Sequence, residues 1–264
     1  MICYLCNQEI EENELSEDHI FPQLFITREQ PKAKGFDYAG KIYTHKLCNN
    51  TFGGESEAMC QKALILLDAL YKLPTENIGT YSDKPVMLIT NESFSGFTEK
   101  DFEFFGLIDL TKRDIKELKN PAIFEEMKKV NPFIKPTNIA LSVLAKSAAA
   151  FLVKRANILP GTKWKILAVL IPLNDSKFEL DKLLGETKPL ESGIKIYIKE
   201  WENKDLFVAY KVNNILALLN FGFSGNEENS KSLCKMFPEE MKFFYESDNL
   251  MDLIGYKWNE NIYS

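Results

Sequence analysis

The stretch Cys3-Tyr4-Leu5-Cys6, followed by Ser16-Glu17-Asp18-His19-Ile20-Phe21-Pro22 and by His45-Lys46-Leu47-Cys48-Asn49-Asn50, decides how this chain is read. Only 2 histidines occur in 264 residues, and both lie here, as do three of the 5 cysteines. Two pairs, each with two intervening residues, have the spacing of one tetrahedral zinc site: Cys3, Cys6, His45 and Cys48. Thiolate and imidazole suit zinc, and a closed set of four marks a structural ion. The acidic, loop-rich segment that carries them has little apolar surface to bury, so metal binding is expected to supply folding energy. Between the pairs Asp18 precedes His19, and Asn49 follows directly on the last ligand. Adjacent residues on a strand point to opposite faces. His19 can then serve as a base toward water, while Asp18 and the amide oxygen of Asn49 hold a hard cation such as Mg2+ or Mn2+. Asn50 takes the place of Asn49 if the register is off by one.

In Cys-x2-Cys at 3–6, Glu-Asp-His-Ile-Phe-Pro at 17–22 and Cys-Asn-Asn-Thr-Phe-Gly at 48–53, the sequence resembles the HNH (ββα-metal) endonucleases. The nearest likeness is to their zinc-braced branch, which includes phage junction-resolving nucleases and small bacterial HNH proteins. The resemblance implies a divalent-metal-dependent hydrolase of DNA that leaves 5′-phosphate and 3′-hydroxyl ends. It gives His19 the role of general base and Asp18 and Asn49 that of metal ligands. Two departures stand out. The family commonly carries cysteine where this chain has His45. Its middle asparagine, which orders the loop behind the base, falls where this chain has Gly40-Lys41-Ile42, so another group such as Asp37 has to do that work.

The chain is 45% hydrophobic and long enough to bury a proper core, as one large domain or two small ones. Met1-Ile2-Cys3-Tyr4-Leu5-Cys6 lacks the charged and apolar regions of a signal peptide. No long uninterrupted apolar run requires a membrane. The expectation is a cytoplasmic protein, in which paired cysteines bind metal and the remaining Cys60 and Cys234 are buried thiols. Net charge is −6, and residues 1–60 carry ten acids against five bases. Such a module repels DNA, so phosphate affinity has to come from the divalent ion, another region or a partner. Residues 130–174 contain no Asp or Glu but include Lys135, Lys146, Lys154, Arg155, Lys163 and Lys165. This is the best candidate for a phosphate-contacting surface, with Lys146, Lys154 and Arg155 as its contacts. Lys154 and Arg155 equally suit the C-terminal end of a helix, where cations complement the dipole.

The expected fold class is α+β. Residues 1–74 form the zinc-braced ββα-metal module, and 75–264 form a mixed regulatory or nucleic-acid- or partner-binding domain with a long helix and an antiparallel sheet. Within the module, 7–16 read as a loop, 21–26 as the first strand, 41–44 as a strand delivering His45, and 48–73 as helix with a soft spot at Gly53-Gly54. Pro74 stops it, and 75–85 is the connector. Beyond lie candidate strands at 86–90, 104–110, 164–171, 194–200 and 206–212, short helices at 112–119 and 122–130, and a long helix at 137–157 capped by Thr137. The tail from 239 onward reads as helical.

Besides DNA, the sequence leaves room for a recruiting or activating protein partner, as in bacterial phage defence or mobile elements, and for a homo-oligomer. An RNA substrate stays open, because a metal site recognises a phosphodiester without reading bases. A zinc-containing binding module without catalysis is the competing class.

Overall fold

The computed structural model describes residues 1–21, 40–72, 78–81, 84–87, 97–105, 134–156, 163–172, 194–200, 206–212, 215–221 and 242–258. Its elements, in chain order, are β1 (Leu15–His19), β2 (Lys41–His45), α1 (Lys46–Gly53), α2 (Glu55–Lys72), β3 (Ile78–Tyr81), β4 (Lys84–Met87) and α3 (Glu99–Phe105). They continue with α4 (Ile134–Ala156), β5 (Trp164–Pro172), β6 (Ile194–Glu200), β7 (Leu206–Val212), β8 (Ile215–Phe221) and β9 (Lys242–Ser247). Short 3-10 turns at Glu12–Glu14 and Leu250–Leu253 complete them. The class is mixed α+β with antiparallel sheets, as the sequence leads one to expect.

β1 and β2 form an antiparallel hairpin in which Leu15 opposes His45 and His19 opposes Lys41. Opposed residues share a face. Leu15, Glu17, His19, Lys41, Tyr43 and His45 therefore line one side, and Ser16, Asp18, Ile42 and Thr44 the other, where Asp18 and Thr44 are buried. Two differences from expectation concern this hairpin. The first strand is Leu15–His19, not 21–26: Phe21 lies past the strand end and is fully buried, and 22–26 lie outside the described residues. The loop expected at 7–16 holds a 3-10 turn and the beginning of that strand. The helix break falls where the glycine pair stands, because Gly54 has a ψ of −121° and leaves the helical region.

Five strands in the order β6-β7-β8-β5-β9 make the large sheet. α4 and α2 pack together on one face of it, over Ile166, Ala168, Val208, Tyr210, Ala217 and Leu219. α4 is apolar on nearly all sides, every residue from 140 to 152 being buried. Over Ile134–Lys154 it is long and apolar enough to cross a bilayer, with 83% of that window buried inside the protein. Packed against both α2 and the sheet, it is the core helix.

The other corrections have local causes. α4 begins at Ile134, so Thr137 lies buried inside it rather than capping it, and Pro136 sits in the first turn, where its missing N–H leaves no bond unmade. Residues 104 and 105 end the helix α3 instead of opening a strand at 104–110. The hairpin of β3 and β4 overlaps the connector placed at 75–85 and the strand placed at 86–90. Where the tail is expected to be helical, the described residues hold the strand β9, on which Phe243 and Tyr245 alternate inward and which pairs with β5. β8, all seven residues of it buried, was not marked at all. The helices expected at 112–119 and 122–130 lie outside the described residues.

One buried cluster runs from Cys3 to Trp258, so the hairpin and the large sheet share a core. Phe21 packs on Phe151 of α4 and Tyr210 of β7, with ring centroids 6.0 and 6.5 Å away. The Ser147 hydroxyl donates to the carbonyl of Ile20 at 2.8 Å. The amide of Asn7 donates to the carbonyl of Asp248, and Trp258 Nε1 donates to Ser142 Oγ, so the C-terminal segment straps the N-terminus to α4. Phe21→Ala is expected to cost about 3–5 kcal/mol, the usual loss for emptying a buried phenyl site. Chemical denaturation checks this, and a cost under about 1 kcal/mol would mean that Phe21 is no anchor.

Candidate metal centre

The first ligand pair is presented by a turn held by backbone bonds. Cys3 N donates to the carbonyl of Gln8 at 2.8 Å, Asn7 N to the carbonyl of Cys3 at 2.9 Å, and Ile10 N to the carbonyl of Met1 at 2.6 Å. Asn7 closes it at φ 61°, a left-handed conformation that asparagine tolerates better than most residues. The second pair sits where β2 runs into α1. His45 ends the strand and precedes the helix, and Cys48 follows three residues on in the first turn, which brings both side chains to one side.

The ligand atoms of Cys3, Cys6, His45 and Cys48 all lie within 4.8 Å of one another, a cluster that could hold a metal ion such as zinc. His45 Nε2 lies 3.0 Å from the carbonyl oxygen of Glu9. A carbonyl only accepts, so Nε2 carries a proton, and Nδ1 is the nitrogen turned to the thiols, 3.2 Å from Cys6 Sγ and 4.0 Å from Cys48 Sγ. This second contact fixes the tautomer and ring orientation that coordination needs. Burial works against a charged Cys3, yet the Thr44 hydroxyl at 2.8 Å and surrounding backbone N–H groups outweigh it and hold the thiol down at about 7. Burial, followed by the charge on Cys3, pushes Cys48 up to about 12, and burial raises Cys6 as well. Among the three thiols Cys3 thus ionises first.

Each remaining sequence-derived residue has a definite place. His19 ends β1 half-buried, and the alternation of the strand turns it to the face opposite Asp18. Asp18 faces inward: Tyr4 Oη donates to its Oδ2 at 2.7 Å, and Lys146 Nζ lies 3.0 Å from both carboxylate oxygens. Burial, with the Asp18 charge adding to it, raises the Tyr4 pKa well above its ordinary value, so Tyr4 is a neutral donor. Asn49 donates from Nδ2 to Ser16 Oγ at 3.1 Å and to the carbonyl of Glu17 at 3.0 Å, tying α1 to β1. Its Oδ1 is turned the other way, toward Gly53. A Cβ on Gly53 would stand 3.8 Å from Asn49 Oδ1 and 3.7 Å from Glu57 Oε2, so the two oxygens border one space. Asn50, the alternative to Asn49 in the sequence, is exposed. No family model matches the chain, and no curated protein matches it.

The proposed phosphate-contacting set is not a surface as drawn. Lys146 is 1% exposed and cannot reach a ligand in solution, because it is drawn into the core by Asp18 and Glu57. Lys154 is exposed on the last turns of α4, and the side chain of Arg155 lies outside the described residues. Cys60 is a buried thiol, as expected, while Cys234 lies outside the described residues.

Sequence reasoning missed Glu57 and Tyr4 and gave Lys146 the wrong setting. The signals were faint. Glu57 follows Asn49 and Gly53 at four-residue steps, which keeps them on one side of the helical run. Lys146 is the lone charge between Ile139 and Val153 of an apolar helix.

Proposed function

We propose that the chain is a divalent-metal-dependent HNH-type endonuclease acting on DNA, its ββα module braced by zinc at Cys3, Cys6, His45 and Cys48. The observation that carries this reading is the cluster itself, formed at the junctions of a β-hairpin and a following helix, with His19 and Asp18 on one strand of that hairpin and Asn49 one residue past the last thiol. A purely structural zinc knuckle needs none of those three. A closed set of four protein ligands leaves zinc no open position, so its work is to hold β2, α1 and the N-terminal turn in register. Two positive charges among the thiols also offset the burial and the mutual repulsion that raise Cys6 and Cys48.

In this reading His19 takes the proton from the attacking water, as a histidine positioned at a rigid strand end can. Ile20 N bonds the carbonyl of Gly40 at 3.0 Å and Ile20 O accepts from Ser147, so the backbone beside the base is held from two sides. The residues fit a second, catalytic cation by donor chemistry: Asn49 Oδ1 and the carboxylate of Asp18 are hard oxygens of the kind Mg2+ and Mn2+ take. When bound, that ion supplies positive charge to the phosphate oxygens and to the leaving oxygen. The region after the module contributes recruitment or control, with Lys154 as the exposed remnant of the basic stretch.

A cleavage panel of single-stranded, duplex, branched and RNA substrates with Mg2+ or Mn2+ tests the proposal. DNA cleavage that depends on the added ion is expected. Cleavage of RNA alone would move the substrate, and no cleavage of anything would leave a zinc-braced binding module. That second reading has one observation in its favour, the engagement of both Asp18 oxygens by Tyr4 and Lys146.

Asn49→Ala is expected to raise the Mn2+ concentration for half-maximal cleavage by about tenfold or more, with the rate recovering as the ion is increased, as for loss of one oxygen ligand. A metal titration of the rate checks it, and an unchanged midpoint would remove Asn49 from the ion.

A further inference from the structure

Lys146 lies at the middle of the core helix, and its ammonium does not escape to solvent. It bonds Glu57 Oε1, lies 3.0 Å from each oxygen of Asp18, and stands 5.3 Å from the centre of the Phe52 ring. The two carboxylates reach it from β1 and α2, while the lysine comes from α4. Glu57 uses Oε1 for Lys146, and its Oε2 borders the space over Gly53 together with Asn49 Oδ1. Oxygens from β1 and α2 thus meet around a positive charge delivered by a side chain of a distant element, and Asn49 Oδ1 of α1 lies by Gly53 on the side of the second Glu57 oxygen.

An isolated ammonium in such a setting is costly, and so are two carboxylates without a cation; each makes the other tolerable. The charges do not balance. Asp18 and Glu57 carry two negative charges and Lys146 one positive. A divalent ion would balance the two carboxylates without the lysine, and beside the lysine it meets a like charge at close range in a medium that screens it poorly. Asp18 also has no oxygen to spare: Oδ2 accepts from Tyr4, and both oxygens face Lys146. For Asp18 to bind an ion, a bond to Lys146 has to be given up.

We propose that Lys146 is a tethered counter-cation that competes with a divalent ion for Asp18 and Glu57, so that loading of this site depends on the seat of α4. The proposal deepens the function given above and rests on its reading of Asp18 and Asn49 as ligands of the divalent ion. It adds Glu57 as a third oxygen donor and makes Lys146 the residue that sets when the ion can enter. Whatever withdraws Lys146 from between the carboxylates raises the affinity of the site. α4 is well placed to transmit such a change, since Ser147 bonds the carbonyl of Ile20 next to His19 and accepts from Tyr210 Oη of the large sheet at 3.2 Å.

The test uses the zinc-loaded full chain without nucleic acid, with Mn2+ binding followed by the loss of the free-ion paramagnetic signal. Lys146→Met is expected to bind Mn2+ about tenfold or more tightly than wild type, because a like charge has been removed from beside the ion. Adding Glu57→Gln to that variant is expected to abolish the gain. Equal or weaker binding by Lys146→Met would overturn the proposal. Where Lys146→Met fails to fold without added ion, Lys146→Gln is assayed beside it by thermal unfolding, and millimolar Mn2+ is expected to restore both while shifting wild type little. Failure of both variants to fold even then would also overturn it, since the ion would be no substitute for the ammonium. Binding is read without substrate, so a chain that cleaves nothing can still show the competition, and one that cleaves DNA can still lack it.

Discussion

Under the endonuclease reading, His19→Ala is expected to cut slower by a factor on the order of a hundred to ten thousand, the usual cost of removing a general base, and not to recover at saturating divalent ion. The expectation follows from where the side chain stands. His19 is outside the four-residue cluster, so the variant keeps its metal content. It ends β1, and that strand end is also held by its pairing with Lys41, by Ile20 N donating to the carbonyl of Gly40 and by the Ser147 hydroxyl donating to the carbonyl of Ile20. Truncating the imidazole leaves them in place, so the fold survives. The behaviour separates His19 from Asn49, whose loss is relieved by more ion. Rates at several Mn2+ concentrations, with metal content and thermal unfolding measured on the same preparations, decide the matter. If His19→Ala cuts as fast as wild type, His19 is not the base and the HNH-type reading of the site is wrong.

The Cys3, Cys6, His45 and Cys48 cluster was legible because a set of side chains that could hold a metal leaves a mark at fixed short spacing: two residues between Cys3 and Cys6, two between His45 and Cys48. β2, the helix break at Gly54 and strands β5, β6 and β7 were legible for a similar reason, each being written in local alternation, a glycine pair or β-branched content. β8 was not, since its two faces are both buried and its run Ile215-Leu216-Ala217-Leu218-Leu219 has no period to read. β9 was missed because Lys242-Phe243-Phe244-Tyr245 is aromatic rather than strictly alternating, and only pairing with β5 shows which side is inward.

What local pattern cannot carry is pairing across distance. Asp18 and Lys146 are separated by 128 positions, and each had a sensible reading alone, the acid as a metal ligand and the base as a phosphate contact. Their meeting in the core assigns the lysine differently and ties the hairpin to the long helix. The single buried cluster has the same consequence. Damage to the N-terminal segment is felt by α4 and by the sheet it covers, because Phe21 and Ile20 touch both.

That coupling governs what happens when the metal centre is broken. Cys48→Ser and Cys6→Ser are each expected to lose the bound zinc and to melt the N-terminal segment. Besides the burial of Tyr4 and Leu5 and the Asn7 contact to Asp248, the turn that presents Cys3 and Cys6 has a handful of backbone bonds and one isolated bridge, Ile2 to Glu9, to hold it. A structural zinc supplies about 10–16 kcal/mol of apparent binding energy in zinc-finger peptides, as much as a whole domain's stability of about 5–15 kcal/mol. Serine cannot replace a thiolate, so most of that energy goes. The loss does not stop at the cluster. With the turn released, Tyr4 and Leu5 leave the core, Asp18 loses its phenol donor, and Met251 N loses the carbonyl of Leu5, to which it donates at 3.3 Å. Metal analysis of purified wild type should find one zinc per chain, and both variants should contain none, unfold at lower temperature and expose the N-terminal segment to protease first. Wild type without zinc, or variants that keep full zinc and full solubility, would show that the four residues are an ordinary buried thiol cluster and that this segment is held by the shared core alone.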